Sequence, residues 1–296
     1  MNTVTILTPT YNREKRLWKL FESLCSQTNF NFSWLIIDDG STDHTEQAVS
    51  QMRLNAIFRI EYHKKENGGK HTALNYAYPF IQTPLTFIVD SDDFLTPDAV
   101  DIIERTYQSY ETEEDLCGFS FLRKKPDGGY LSTSGVPSNG MKESFTECRI
   151  NRGINGDMAE VWYTDCLREY MFPEFPGEKF LGEDTVWIRM AKKYKMRFFN
   201  DAIYVSDYLI DGLTSNRRKH NIASPNGCVA RAETFLDADL CFKAKIKAML
   251  QYQIYGSFAG TTVDESYRKS GSKKLFLLCW LPSRLLYYAW RRRANK

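Results

Sequence analysis

Short apolar runs alternate with helix-period stretches over the first hundred residues. Val4 to Thr8 reads as a buried strand, Glu14 to Gln27 as a helix with Leu17, Leu20, Phe21 and Leu24 on one face, and Trp34 to Ile37 as a second strand. Thr42 to Met52 then reads as a helix, Ile57 to Tyr62 as a strand, Lys70 to Phe80 as a helix and Leu85 to Val89 as a strand. A repeated strand-helix unit predicts a mostly parallel sheet flanked by helices, the Rossmann-like α/β class. Ligands of such sheets gather at the carboxyl ends of the strands. Four polar loops follow the four strands: Pro9-Thr10-Tyr11-Asn12-Arg13, Asp38-Asp39-Gly40-Ser41-Thr42-Asp43, Glu66-Asn67-Gly68-Gly69-Lys70 and Asp90-Ser91-Asp92-Asp93.

The pattern loosens after Leu116 to Leu122, a further strand. A Gly/Pro/Ser-rich stretch runs to Gly140 and mixed short elements follow as far as Gly182. Such a region suits substrate-specific insertions. Periodicity returns in a helix over Asp184 to Tyr194, a strand over Arg197 to Val205 and helical sequence over Asn221 to Arg268. The expected organisation is an α/β domain over residues 1–215, a helical region over 216–271 and a basic amphipathic segment over 272–296.

Charge distribution sharpens the last boundary. The 296-residue chain has a formal net charge of +2, yet Ser266 to Lys296 holds nine Lys or Arg and no acid, leaving 30 basic against 37 acidic residues before it. A basic end beside an apolar run fits an anionic membrane surface, whereas a nucleic-acid binder would spread its basic residues over the folded face. No nucleic-acid partner is expected. Leu275 to Trp290 is apolar or aromatic except for Pro282, Ser283 and Arg284. It is too short and interrupted for the ~20-residue span of a bilayer and is suited to the interface. The competing explanation is a terminal helix packed on the protein's own core. Seven cysteines without a close pair suggest neither a disulfide framework nor a zinc site. With no export signal visible at Met1-Asn2-Thr3-Val4, the expected setting is cytoplasmic, at the inner face of the cell membrane.

The sharpest chemical signal is Phe87-Ile88-Val89-Asp90-Ser91-Asp92-Asp93. Three carboxylates in four residues repel one another, and a divalent cation removes that penalty. Mg²⁺ and Mn²⁺ take oxygen ligands, typically one or two carboxylates completed by substrate phosphates. The competing explanation is a turn whose Asp side chains cap a helix starting near Thr96-Pro97-Asp98. In the second loop, Asp39 is suited to accept from a base ring N–H, and Gly40 lets a ligand approach the backbone. Lys70, at a predicted helix start, suits a ligand's phosphates or solvent equally.

Together these motifs resemble the family 2 glycosyltransferases of surface-polysaccharide type, which use nucleotide sugars on the GT-A fold. The resemblance rests on Thr8-Pro9-Thr10-Tyr11-Asn12-Arg13, Ile37-Asp38-Asp39-Gly40-Ser41-Thr42-Asp43, Glu66-Asn67-Gly68-Gly69 with Ala73-Leu74-Asn75, and Asp90-Ser91-Asp92-Asp93. Gly182-Glu183-Asp184 extends it toward residue 215. It implies that Pro9, Thr10 and Tyr11 lie against the nucleobase, that Asp39 pairs with its ring N–H, and that Asp90 and Asp92 hold the ribose and a metal-bound diphosphate. Asp93 is a candidate to share the metal. Arg13, Asn67, Lys70 and Ser91 complete the donor-side set. Asp184 falls on the catalytic base, with Glu183 beside it, although acids opening a helix also arise from dipole compensation.

One departure stands out. Relatives place a His where this chain has Asp211, so either Asp211 substitutes as an oxygen ligand or Arg217, Arg218 and His220 reach the diphosphate. Gln-x-x-Arg-Trp, typical of processive synthases, is absent after Glu183-Asp184. Trp162 and Trp187 are candidates for sugar stacking or for the core. The resemblance implies transfer of one sugar, from a UDP-sugar with Mn²⁺ or Mg²⁺, to a hydroxyl of a glycan or polyprenyl-linked acceptor, with inversion. The rivals are a nucleotidyltransferase, which would open with a basic Gly-rich phosphate loop, and a non-catalytic sugar-nucleotide-binding protein.

Overall fold

A computed structural model describes residues 2–131, 135–154, 156–206 and 217–294. The chain forms two compact units that interleave along the sequence: Met1–Ser144 with Ile154–Met171 and Lys193–Tyr208, and Phe145–Gly153 with Phe172–Lys192 and Leu209–Lys296.

The first unit opens with β1 (Val4–Thr10), α1 (Leu17–Cys25), β2 (Phe32–Asp38), α2 (Thr45–Asn55), β3 (Arg59–Lys64), α3 (Lys70–Ala77) and β4 (Leu85–Ile88). It continues with β5 (Phe94–Leu95), α4 (Ala99–Tyr110), β6 (Leu116–Lys124), β7 (Met141–Glu143), β8 (Met158–Tyr163), α5 (Thr164–Glu169) and β9 (Lys195–Val205). The strands make one nine-stranded sheet in the order β3-β2-β1-β4-β8-β6-β9-β5, with β7 paired to β9. The first four are parallel, so their carboxyl ends share one edge, as the sequence pattern predicts. The chain steps outward from β1 to β2 and β3 and then returns to the other side of β1. That reversal between β1 and β4 is the crevice where doubly wound sheets receive ligands.

Strand β1 is buried along its whole length, its threonines included, as expected of a central strand covered on both faces. Leu17, Leu20, Phe21 and Leu24 of α1 and Ala99, Val100 and Ile103 of α4 bury helix-spaced stripes against the sheet. Inside the sheet the Trp34 indole donates to Thr8 Oγ1 at 2.9 Å, so a wholly buried polar tip is satisfied.

Helix starts moved where tertiary contacts took the first-turn amides. Helix α2 begins at Thr45 rather than Thr42, because Asn12 Oδ1 accepts from the Thr42 amide at 2.8 Å and Asp43 Oδ1 from the Thr45 amide at 3.1 Å. Strand β8 lies in the stretch expected to hold mixed short elements. It slots antiparallel between β4 and β6, and it buries Trp162 in the core, which removes that ring as a sugar platform.

The second unit holds a single π-helical turn at residues 146–151 and then α6 (Asp184–Met190), α7 (Arg217–Ala223), α8 (Pro225–Asp237), α9 (Phe242–Phe258), α10 (Val263–Lys269) and α11 (Lys273–Ala294). Helices α6, α8, α9 and α11 pack in succession. Pro225 opens α8, where its missing N–H costs nothing. Trp187 of α6 is buried edge-to-face against Phe172, 5.8 Å between centroids, so it too is core.

Gly118 of β6 lies so close to β8 that an added Cβ would fall 2.1 Å from the Val161 carbonyl oxygen. Because that neighbour is backbone in mid-sheet, Gly118→Ala is expected to cost about 1–3 kcal/mol of unfolding free energy, read as a lowered urea midpoint.

Candidate active site

Asp39 is buried at the end of β2, and its carboxylate is surrounded by donors. Oδ1 accepts from Lys65 Nζ and the Gly68 amide, both at 2.9 Å, and Oδ2 from the Gly69 amide at 2.6 Å and Asn67 Nδ2 at 3.2 Å. Four donors fill the roughly four lone-pair positions of a carboxylate. Gly69 adopts a φ of 95°, which a side chain would resist, to turn its amide onto Asp39. Asn67, expected among the donor contacts, also donates to the Asp39 carbonyl at 2.7 Å and so braces this loop. Asp38, next to it, accepts from the Ser41 amide at 2.7 Å and from the Tyr62 hydroxyl at 2.5 Å. Burial, then that carboxylate, raises the Tyr62 pKa well above the ordinary phenol value.

The loop after β1 is sewn to the loop after β2. Asn12, with a positive φ of 53°, donates from its amide to Ser41 Oγ at 2.8 Å while its side chain accepts from Thr42. Arg13 donates from its amide to Thr45 Oγ1 at 3.1 Å. This leaves Tyr11 46% exposed at the tip, with Pro9 and Thr10 buried behind it in β1. Thr10 Oγ1 is buried and has no hydrogen-bond partner among the described residues. An unpaired polar atom of that kind costs about 1–3 kcal/mol, which a ligand's polar group would relieve.

At the end of β4, the acidic turn does not cap α4, whose N-cap residue is Asp98, without a side-chain cap. Lys70 Nζ, from the first residue of α3, contacts Asp90 Oδ1 at 2.5 Å, and Arg16 lies 3.7 Å from Asp92. Burial works against ionisation of Asp90, but Lys70, Arg123 and Arg13 prevail and hold its pKa below the ordinary carboxylate value. Ser91 is buried between the two acids.

Asp93 is turned inward. Its Oδ2 accepts from Tyr204 Oη at 2.8 Å and Ser206 Oγ at 3.1 Å, with Arg123 at 3.8 Å. Burial, then the Asp90 charge, pushes its pKa up to about 6. Tyr204 Oη in turn accepts from the Asp90 amide at 3.0 Å, and the Arg123 guanidinium lies 4.0 Å from the centre of the Tyr204 ring. One phenol therefore fixes both ends of the acidic turn.

The donor set fits a hard divalent ion. Asp90 and Asp92 present carboxylate oxygens that Lys70 and Arg16 now neutralise, and one or two carboxylates completed by phosphate oxygens suit Mg²⁺ or Mn²⁺. Among the described residues no three His, Cys, Asp or Glu side chains close around a metal position. Asp211 lies outside the described residues.

In the second unit Asp184 opens α6, with Glu183 at the N-cap position. Arg231 of α8 grips Asp184 in a two-pronged pair, Nε to Oδ1 at 2.6 Å and Nη2 to Oδ2 at 2.5 Å. Arg231 also donates to Gln251 Oε1 at 3.2 Å and lies over the Phe235 ring. The fork fixes the plane of the carboxylate and leaves each oxygen a second lone pair. A small pocket beside it is lined by Gly182, Arg217, Asn221, Arg231 and Tyr255. Arg218 lies over the Trp290 ring and His220 packs on Phe180, so of the three basic residues considered for the diphosphate only Arg217 lines that pocket.

Sequence reading missed Lys65, Arg123, Tyr204, Ser206 and Arg231. Lys65 directly precedes Glu66-Asn67-Gly68-Gly69 and was within reach of the strand-end argument; the others lie too far from their partners in sequence to carry a local signal.

A model of the family described as "Glycosyl transferase family 2" matches residues 5–155. The chain is 28% identical over 219 residues to a chondroitin synthase of Pasteurella multocida, covering 73% of this chain and 22% of that protein. It is 29% identical over 202 residues to the poly(ribitol-phosphate) β-N-acetylglucosaminyltransferase TarS of Staphylococcus aureus, covering 64% of this chain and 32% of that one. The chain thus spans between about a fifth and a third of the length of these relatives. Among solved structures, S. aureus TarS 1–349 in complex with UDP-GlcNAc superposes with a TM-score of 0.61 at 18% identity, over 94% of this chain and 79% of that one. A mannosyltransferase of Pyrobaculum calidifontis in complex with GDP-Man and Mn²⁺ superposes with a TM-score of 0.59 at 17% identity, over 99% of this chain and 83% of that one. These likenesses show the fold.

Tyr204→Phe removes the acceptor of the Asp90 amide and a donor to Asp93 while keeping the ring. A loss of about 1–3 kcal/mol per unsatisfied group is expected, measured as a lowered denaturation midpoint; an unchanged midpoint would mean that the phenol does not brace the turn.

Proposed function

The chain belongs to glycosyltransferase family 2 and has the GT-A fold; from that premise we propose that it moves one sugar from a nucleotide-diphosphate donor, a UDP-sugar, to a hydroxyl of a glycan or lipid-linked acceptor, with inversion. The observation that carries this reading is the acidic turn at the β1/β4 reversal. Asp90 and Asp92 stand there, each met by a cationic side chain, at the edge that also holds Asp39 and Tyr11.

The roles follow from the local chemistry. Tyr11, over the buried Pro9 and Thr10, supplies a face for the nucleobase, and Thr10 Oγ1 is the polar atom awaiting a partner. Asp39 is the acceptor for a base N–H. Its longest contact, the 3.2 Å one from Asn67, is the one a base most readily displaces. Asp90 and Asp92 are suited to the ribose and to a divalent cation shared with the diphosphate. That cation, when bound, offsets the negative charge developing on the leaving diphosphate. Lys70 can then turn from Asp90 to a phosphate oxygen, keeping a positive charge beside the leaving group.

In the transfer itself the acceptor hydroxyl oxygen forms a bond to the anomeric carbon while the carbon–oxygen bond to the diphosphate breaks. The bonding pair leaves with the diphosphate. The hydroxyl proton goes to Asp184, the proposed base, whose plane Arg231 fixes. One displacement inverts the configuration. TarS and the Pyrobaculum enzyme were crystallised with UDP-GlcNAc and with GDP-Man and Mn²⁺ respectively, which supports a nucleotide-sugar donor without fixing the sugar. The basic, apolar C-terminal segment supports a polyprenyl-linked acceptor at the inner face of a membrane, in cell-surface polysaccharide synthesis. No helix among the described residues is long and apolar enough to cross a membrane.

A thermal-shift screen of UDP-, GDP- and dTDP-sugars with Mn²⁺ tests the donor: the cognate nucleotide should raise the melting temperature, because it binds only the folded state. Asp92→Ala should abolish the Mn²⁺-dependent part of that shift; persistence of the full shift would remove Asp92 from the site. Asp184→Asn should leave the donor shift intact while transfer falls about 10²–10⁴-fold, the range for loss of a general base. Retention of transfer would refute the assignment.

A further inference from the structure

Helix α11 is built with two faces. One belongs to the second unit: Leu275, Phe276, Cys279 and Ser283 are buried at helical spacing. On that side Gln253 of α9 donates to the Phe276 carbonyl at 2.9 Å and accepts from Ser283 Oγ at 2.6 Å, and Arg284 donates to Ser257 Oγ at 2.9 Å. Tyr287 packs on Phe258 and Trp290 on Tyr255. The expectation of a terminal helix packed on the protein's own core thus holds for this face.

The opposite face is apolar and uncovered. Leu277, Leu281, Leu285 and Tyr288 succeed one another at four-, four- and three-residue steps, with Leu278 alongside, and each is more than half exposed. Steps of three and four residues put them on one line along a helix about 33 Å long. An isolated exposed leucine means nothing, but a continuous ridge of this size marks a surface that binds something. Exposed basic residues bracket it, Lys273 and Lys274 at one end and Arg291, Arg292 and Arg293 at the other, and no acid occurs from Ser266 onward. A ridge of leucines between cationic ends complements the headgroup and acyl boundary of an anionic bilayer; a second copy of the same face would oppose cation to cation.

We propose that α11 docks flat on an anionic lipid surface through Leu277, Leu281, Leu285 and Tyr288, as a preformed part of the second unit rather than as a tail that folds on contact. Pro282 is tolerated because the helix lies in the interface and does not cross it: its backbone remains within reach of water and headgroups. The succession α11, α9, α8 and α6 then links the lipid surface to Asp184 inside one unit. The lipid side thereby gains a role in acceptor choice, since a hydroxyl near Asp184 is presented at a height set by that stack. This second consequence rests on the transferase reading; the docking does not.

Sedimentation of the full chain with phosphatidylcholine vesicles, with and without phosphatidylglycerol, tests it without any sugar nucleotide. Binding is expected only where phosphatidylglycerol is present. The Arg291→Gln, Arg292→Gln, Arg293→Gln triple variant should weaken it about a hundredfold, from ~1 kcal/mol for each basic residue. Leu281→Glu with Leu285→Glu should abolish it while the melting temperature stays unchanged, because both side chains point away from the core. Amide exchange in α11 should be slow before vesicles are added as well as after. Equal binding to both vesicle types, unchanged binding of the Glu variant, protection of α11 only after vesicles are added, or self-association of the free protein that the Glu variant relieves would overturn the proposal. Donor-induced melting shifts of the Glu variant, taken without vesicles, separate this outcome from failure of the transferase reading.

Discussion

The first unit is governed by a single constraint: parallel strands deliver their carboxylates to one edge, and a carboxylate taken from water must find positive charge or donors. Three solutions stand beside one another. Asp39 is saturated by two glycine amides, an asparagine and a lysine. Asp93 is buried against a phenol and a hydroxyl, with its acidity weakened. Asp90 and Asp92 are met by long, part-exposed cationic side chains, Lys70 and Arg16. The second is enclosed by the fold, the first keeps one longer contact, from Asn67 at 3.2 Å, and the third consists of ion pairs that reach the surface.

That division explains why so many supporting residues are distant in sequence. The acidic turn is positioned by Tyr204 of β9, and Arg123 of β6 lies on its ring. Strand β8, entering antiparallel between β4 and β6, carries the Met158 carbonyl that accepts from Arg123 Nε at 2.7 Å. The second half of the sheet is therefore a brace for a turn that belongs to the first half. Charge balance at the site and strand order in the sheet are two descriptions of one arrangement.

In the second unit the same economy recurs on a helical frame. A guanidinium fork fixes Asp184, and the helix that supplies Arg231 packs on α9, which in turn holds one face of α11. Where the first unit exposes ionic groups at a strand edge, the second exposes a leucine ridge between basic ends.

Much of this was legible without coordinates. The strand-helix alternation fixed the four parallel strands to within a few residues, because buried strands and one-sided helices leave different periods in the chain. The acidic turn and the Asp38-Asp39-Gly40-Ser41 loop were visible because their chemistry is contiguous. Strand β8 escaped because Glu160 breaks an apolar run only six residues long, with Gly156 and Asp157 directly before it, and Trp162 and Trp187 became core once their neighbours were known. The sequence by itself determined which residues carry charge to the strand ends and where a basic, apolar tail lies. Only the tertiary structure decided which carboxylates are enclosed by donors and which are met by ion pairs at the surface, that Arg231 meets Asp184, and which face of α11 is exposed. Those outcomes depend on partners separated by tens of residues, and proximity across such a gap is created by packing, which no local pattern encodes.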